Sequence, residues 1–83
     1  MKNNNIKTLI ESNVRSFLAD FKKLSQSTID RIVEGELKNP LGWGNNEKDP
    51  VEVYYSNLES SNVMLHFIDH VQAHYGIYLK QYA

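Results

Sequence analysis

LADFKKLSQSTIDRIVEGELKNP, running from Leu18 to Pro40, is the stretch on which the architecture of this chain turns. It closes one apolar stripe, passes through a short polar break and starts a second stripe. Ser25 or Ser27 suits a helix N-cap, because a hydroxyl there accepts from the unpaired amides of the first turn. Asp30, three residues after Ser27, approximates a capping box. Ile29, Ile32, Val33 and Leu37 then recur at helical spacing. Gly35 would weaken the interior of this helix by about 1 kcal/mol relative to Ala. It fits better as a C-terminal glycine that ends the helix, and Asn39-Pro40 closes the segment either way.

Upstream, residues 1–5 read as a polar, flexible N-terminus. Ile6, Leu9, Ile10, Val14, Phe17, Leu18, Phe21 and Leu24 then fall on one side of a helix, with Glu11, Arg15, Lys22 and Lys23 on the other. One helix over 6–24 satisfies this spacing, and so do two shorter helices broken at Glu11-Ser12-Asn13. Downstream, residues 40–49 (PLGWGNNEKD) read as a loop. Asp49 as N-cap, Pro50 at the first helical position and Glu52 in the first turn mark the next helix start. Val51, Tyr54, Tyr55 and Leu58 carry it on. Ser60-Ser61-Asn62 punctuates, and a last helix passes through Val63, Met64, Phe67, Ile68, Val71 and Tyr75 before Gly76 stops it. The expected fold is all-α: one domain over 1–83, a small bundle of four to five short helices.

The 83 residues contain no cysteine, which excludes disulfides and thiolate-bound zinc. No apolar run approaches ~18 residues, and MKNNNIK lacks the apolar core of a signal peptide. These features predict a soluble cytoplasmic protein without membrane insertion. Charge is uneven: residues 1–40 hold seven Lys/Arg against five Asp/Glu, whereas residues 41–83 hold two against five.

Leu18-Ala19, Ser25-Gln26-Ser27-Thr28-Ile29, Arg31-Ile32, Gly35 and Pro40 follow without a gap the spacing of a helix-turn-helix. Over residues 18–40 the chain resembles the lambdoid phage repressors and Cro proteins, the XRE-type regulators. The resemblance implies a helix-turn-helix-like half over 6–39, while the chain's own periodicity gives a loop over 40–49 and a C-terminal helical half over 50–83. It implies that Ala19 is small because two helices cross there, that Ile29 and Ile32 seat the recognition helix, and that Ser25 caps it. Gln26, Ser27 and Arg31 would then reach base edges of duplex DNA, since the first turns of that helix enter the major groove. Lys22, Lys23, Ser25 and Lys38 would contact phosphates. A homodimer would engage two half-sites. The sequence departs from the family where Lys23 replaces the usual turn glycine, where Lys22 replaces an apolar residue, and where Glu36 follows Gly35. Residues 41–83 do not resemble the family's remaining helices.

His66, His70 and His74 repeat every four residues and form one ridge beside an apolar face. A third helical histidine drifts too far to share an ion with the first two, so boundary packing is the expectation and no metal is assigned; association sensitive to pH is the alternative. Trp43, between two glycines, either lids the core or anchors a partner. Tyr54, Tyr55 and Tyr78 suit a partner surface, having an apolar body and a polar tip, and suit a half-buried core equally. No nucleophile motif, phosphate-cradling loop or carboxylate pair stands out, so neither an enzyme nor a cofactor is expected. The expected function is a small DNA-binding regulator of phage or mobile-element type. The alternative is a small protein-binding regulator or inhibitor, antiholin-like or immunity-protein-like, whose helix-turn-helix is scaffold and whose interface is formed by Trp43 and the tyrosines.

Overall fold

The computed structural model describes the backbone of residues 2–42, 49–58 and 60–82, and the side chains of 6–42, 53–58 and 60–82. Four α-helices follow one another: α1 (Lys2–Leu18), α2 (Gln26–Lys38), α3 (Asp49–Ser56) and α4 (Ser61–Tyr75). Single 3-10 turns lie at Pro40–Gly42 and Leu79–Tyr82. There is no strand among the described residues, so the chain is a small all-α bundle, as its periodicity implies.

The first helix differs from expectation at both ends. It is helical from Lys2, ahead of Ile6, and passes through Glu11-Ser12-Asn13 without a break. Asn13 is absorbed by turning its side-chain amide back onto the Leu9 carbonyl at 2.9 Å. The helix stops at Leu18, yet the apolar spacing continues to Leu24, because Phe21 and Leu24 are core residues held on turns. Phe21 N–H bonds the Leu18 carbonyl, and Leu24 N–H bonds that of Phe21, both at 3.0 Å. No local breaker stands at Leu18. Phe21 turns back to meet Phe17 edge-on, with centroids 5.4 Å apart, and Phe17 meets Phe67 of α4 in the same manner at 5.0 Å. Ala19 is therefore exposed in the connection and is not a helix crossing point. Lys23 needs no left-handed backbone, since Leu41 is the one non-glycine residue with positive φ among the described residues.

The second helix starts where the hydroxyl pattern places it. Ser25 is extended (φ −73, ψ 154), and its Oγ accepts the Thr28 amide at 3.2 Å. Gly35 does not end this helix, which continues to Lys38 and closes on Asn39, whose amide bonds the Gly35 carbonyl at 2.9 Å. Asp49, expected as N-cap, is the first residue of α3. The fourth helix is capped by Ser60 and stopped by Gly76 in the left-handed region at φ 67. One core joins all four helices, with Ile10, Val14 and Leu18 of α1, Ile32 and Val33 of α2, Tyr55 of α3, and Phe67 and Val71 of α4 all buried. None of the described helices is long and apolar enough to cross a membrane.

Because Ser25 alone turns the chain into α2, Ser25→Ala should lower stability by about 1 kcal/mol. Urea unfolding followed by circular dichroism should show an earlier midpoint with an unchanged slope, and an unchanged midpoint would mean that the cap contributes nothing.

Candidate functional site

The α2 residues singled out by sequence lie on its outer side, but several are already engaged. Gln26 is exposed and donates to Asp30 Oδ1 at 3.2 Å. The same oxygen receives Arg15 Nη1 at 3.0 Å, and Arg15 Nε bonds Glu11 at 3.1 Å. The Arg15 guanidinium, followed by Gln26, holds the Asp30 carboxyl below its usual range. Ser27 is exposed, with its Oγ 3.2 Å from that of Ser25. Arg31 is exposed, and its Nη2 donates to the Tyr75 carbonyl at 3.0 Å. That carbonyl ends α4, where a cation also suits the helix dipole. Lys22, Lys23 and Lys38 stand in solvent, as do Asp30 and Glu34. The outer side of α2 thus carries acid between the candidate base-reading residues.

The tyrosines separate. Tyr55, expected at a partner surface, is fully buried and belongs to the core. Tyr54 is half-buried with its hydroxyl donated to the Val63 carbonyl at 3.3 Å, whereas Tyr78 is 54 % exposed. Trp43 lies outside the described residues.

Among the described residues, the strongest concentration of polar chemistry is inside, on the opposite side of α2. Glu36 has no exposed surface. Its Oε1 accepts the Leu41 amide at 3.1 Å and the Tyr55 hydroxyl. Its Oε2 accepts the Tyr75 hydroxyl at 2.7 Å and faces His70 Nε2 at 2.6 Å. A carboxylate has about four lone-pair sites, so this one is saturated. His70 must carry its proton on Nε2 to complete the set. Leu41 is held in the left-handed region (φ 54, ψ 19), and its amide is aimed at Glu36. Gly35 is required by the same cluster, since a Cβ there would lie 2.8 Å from Tyr75 Cε1 and push the phenol off Glu36.

Electrostatics follow from this geometry. Burial alone would raise the Glu36 carboxyl, but hydrogen bonds from His70, Tyr55 and Tyr75 outweigh it and hold the group below the usual carboxylate range. Burial, then the Glu36 charge, push the Tyr55 phenol far up. Tyr75 is raised by burial and by its bond to Glu36, and Tyr54 is pushed up to about 12 by burial and the charges of Glu36 and Asp69. An open cleft beside the cluster is lined by Leu41, Tyr54, His66 and His70. His66 and His74 are exposed, and no group of three or more metal-ligating side chains occurs among the described residues. With its lone pairs filled, Glu36 can fasten neighbouring elements but has none left for a substrate or a metal.

Spacing carried a signal for this cluster. Ile29, Ile32, Val33 and Glu36 follow i, i+3, i+4, i+7, so Glu36 belongs to the buried side of α2. Phe67, His70, Val71 and His74 repeat the pattern on α4. An acid and an imidazole on two apolar stripes of one small core are expected to meet.

Removing the carboxylate in Glu36→Ala would strand two hydroxyls, an imidazole and an amide, and should cost about 3–5 kcal/mol. Glu36→Gln, which keeps one acceptor oxygen, should cost less, and equal denaturation midpoints for the two variants would contradict the arrangement. The pH dependence follows from the same groups. The contribution of Glu36, lowered in the fold, is present above the ordinary glutamate range and is lost as pH falls through the folded value. Those of Tyr55 and Tyr75, raised in the fold, are present below about pH 10 and are lost as pH rises through their folded values. Melting temperature should therefore be highest between about pH 5 and 9 and fall on both sides. A melting temperature that keeps rising past pH 10 would contradict this.

Comparison with protein-family models, with curated proteins and with solved structures finds no match for this chain.

Proposed function

We propose that the chain is a small non-enzymatic protein-binding regulator of the cytoplasm, with the α1–α2 pair serving as scaffold. The observation that carries this reading is the position of the large apolar side chains left in water among the described residues. Val53 of α3, Leu65 of α4 and Tyr78 of the tail are 57, 52 and 54 % exposed. All three lie in residues 41–83, the acidic half of the chain. Fully burying a side chain of this size is worth about 1.5–3 kcal/mol, and a partner that covers the exposed half gains roughly half of that in affinity. Arg31 supports the same reading from the other side, because its guanidinium is engaged on α4.

A second reading, a DNA-binding regulator of phage or mobile-element type acting as a homodimer, is favoured by one feature. Lys22, Lys23 and Ser27 are exposed around the Ser25-capped start of α2. In that case Arg31→Ala should cost about 1–3 kcal/mol on a specific site, and Lys22→Ala or Lys38→Ala should weaken all sequences alike.

Two measurements separate the readings. Fluorescence anisotropy with mixed-sequence duplex DNA at about 50 mM salt, where electrostatic affinity is generous, should show no binding. Salt-dependent binding would favour the second reading. In parallel, cross-linking in lysate of the native host should recover a protein with the wild type and lose it with Val53→Asp and Leu65→Asp. Recovery unchanged by both substitutions would refute the proposed surface.

A further inference from the structure

His70 and His74 stand one turn apart on α4, with ring centroids 4.6 Å apart and planes tilted by 44°. Helical side chains lean toward the N-terminus of their helix, so His74 lies over the root of His70, the end of that ring that carries Nδ1. The far nitrogen, Nε2, is held by Glu36 at 2.6 Å. Among the described residues His70 Nδ1 forms no hydrogen bond, yet no buried side-chain nitrogen or oxygen there lacks a partner, so Nδ1 opens to solvent. His74 is exposed, and neither of its nitrogens forms a hydrogen bond among the described residues. His66, one turn earlier, makes no ring contact with His70 among the same residues.

Distance, orientation and charge of this pair all suit a metal ion. Two imidazoles on one tetrahedral zinc, each nitrogen about 2.1 Å from the metal, place their ring centroids roughly 5 Å apart, close to the separation found here. A ligating histidine ordinarily donates its other N–H to a carboxylate, which fixes the tautomer and strengthens the free nitrogen as a ligand. Glu36 takes that N–H from His70 and has no exposed surface of its own. Its partners are an amide, two phenols and the imidazole, with no lysine or arginine among the described residues. A dication one ring away is therefore attracted by the buried carboxylate. Gly42 leaves space for the second ring, since a Cβ there would lie 2.9 Å from His74 Cε1.

We propose that His70 Nδ1 and His74 together bind one divalent transition-metal ion, zinc or copper by the preference of imidazole, with water in the remaining positions. Glu36 does not touch the ion. It is a positioning residue that orients His70 through Nε2, and its own lone pairs stay filled by the joint. The ion fastens the last turn of α4 to the ring that Glu36 holds. This site is separate from the exposed apolar side chains of the protein-binding reading and does not depend on them.

The test uses the full chain and Zn²⁺ alone, with the histidine ring nitrogens followed by NMR. On addition of Zn²⁺ the His70 Nδ1 and one His74 nitrogen should shift, His66 should not, and the His70 Nε2–H should persist against Glu36. In calorimetric titration His74→Ala, at an exposed position, should weaken binding by at least the roughly tenfold that even an outer-shell partner carries. His66→Ala should leave the affinity unchanged. Glu36→Gln should weaken binding by about 10–100-fold, with helical circular dichroism as the check that it folds. If that variant unfolds, the retained Nε2–H of the wild type reports the same link. Absence of binding, zinc on His70 Nε2 with loss of that proton, an affinity unmoved by His74→Ala, or an equal loss with His66→Ala would overturn the assignment.

Discussion

A carboxylate withdrawn from water is the constraint around which this small protein is arranged. Glu36 leaves α2 on its buried side, and its two oxygens collect an amide from the turn at Leu41, a phenol from α3, and an imidazole and a phenol from α4. A buried charge without partners would cost several kcal/mol, which a domain of this size cannot absorb. The four donors convert that liability into a joint between three helices and a turn. Hydrophobic contact between α1 and the rest is tolerant of detail, but the joint demands a particular register. Tyr75 reaches Glu36 only because Gly35 has no side chain. Leu41 accepts a backbone conformation rare outside glycine while its amide is bonded to Glu36.

The same joint changes the meaning of the residues that resemble a recognition helix. Ser25 caps α2, as it would in a DNA-binding domain. Arg31, instead of pointing free into solvent, closes the end of α4 through the Tyr75 carbonyl. Gly35 makes room for a phenol, and Glu36 is the centre of the core network. Each of these residues has a structural reason independent of nucleic acid. Among the described residues, Val53, Leu65 and Tyr78 of the C-terminal half remain as large apolar side chains in water.

Much of the architecture was legible because helix caps are local. Ser25, Ser60 and Gly76 act within one turn of their own position, and each stands where hydroxyl or glycine chemistry places it. The end of α1 was not legible. Phe21 and Leu24 are core residues that keep helical spacing while their backbone turns, and Phe21 meets Phe17, whose other neighbour, Phe67, lies on a helix more than forty residues away. Gly35 misled for a related reason: a glycine required by a distant phenol looks the same in sequence as one that ends a helix. Tyr55 and Tyr78 are alike in composition and opposite in burial, and only the pairing of Tyr55 with Glu36 across α2 and α3 separates them.

The most direct test of the joint is native-state hydrogen exchange at the Leu41 amide. Leu41 lies in a single turn outside any α-helix, where amides ordinarily exchange by local opening. If the Glu36 carboxylate holds it, Leu41 should exchange only when the whole domain unfolds, with the same free energy as Phe67 and Val71 in the core. Exchange of Leu41 at the rate of a solvent-exposed turn, with Phe67 and Val71 still protected, would contradict the account.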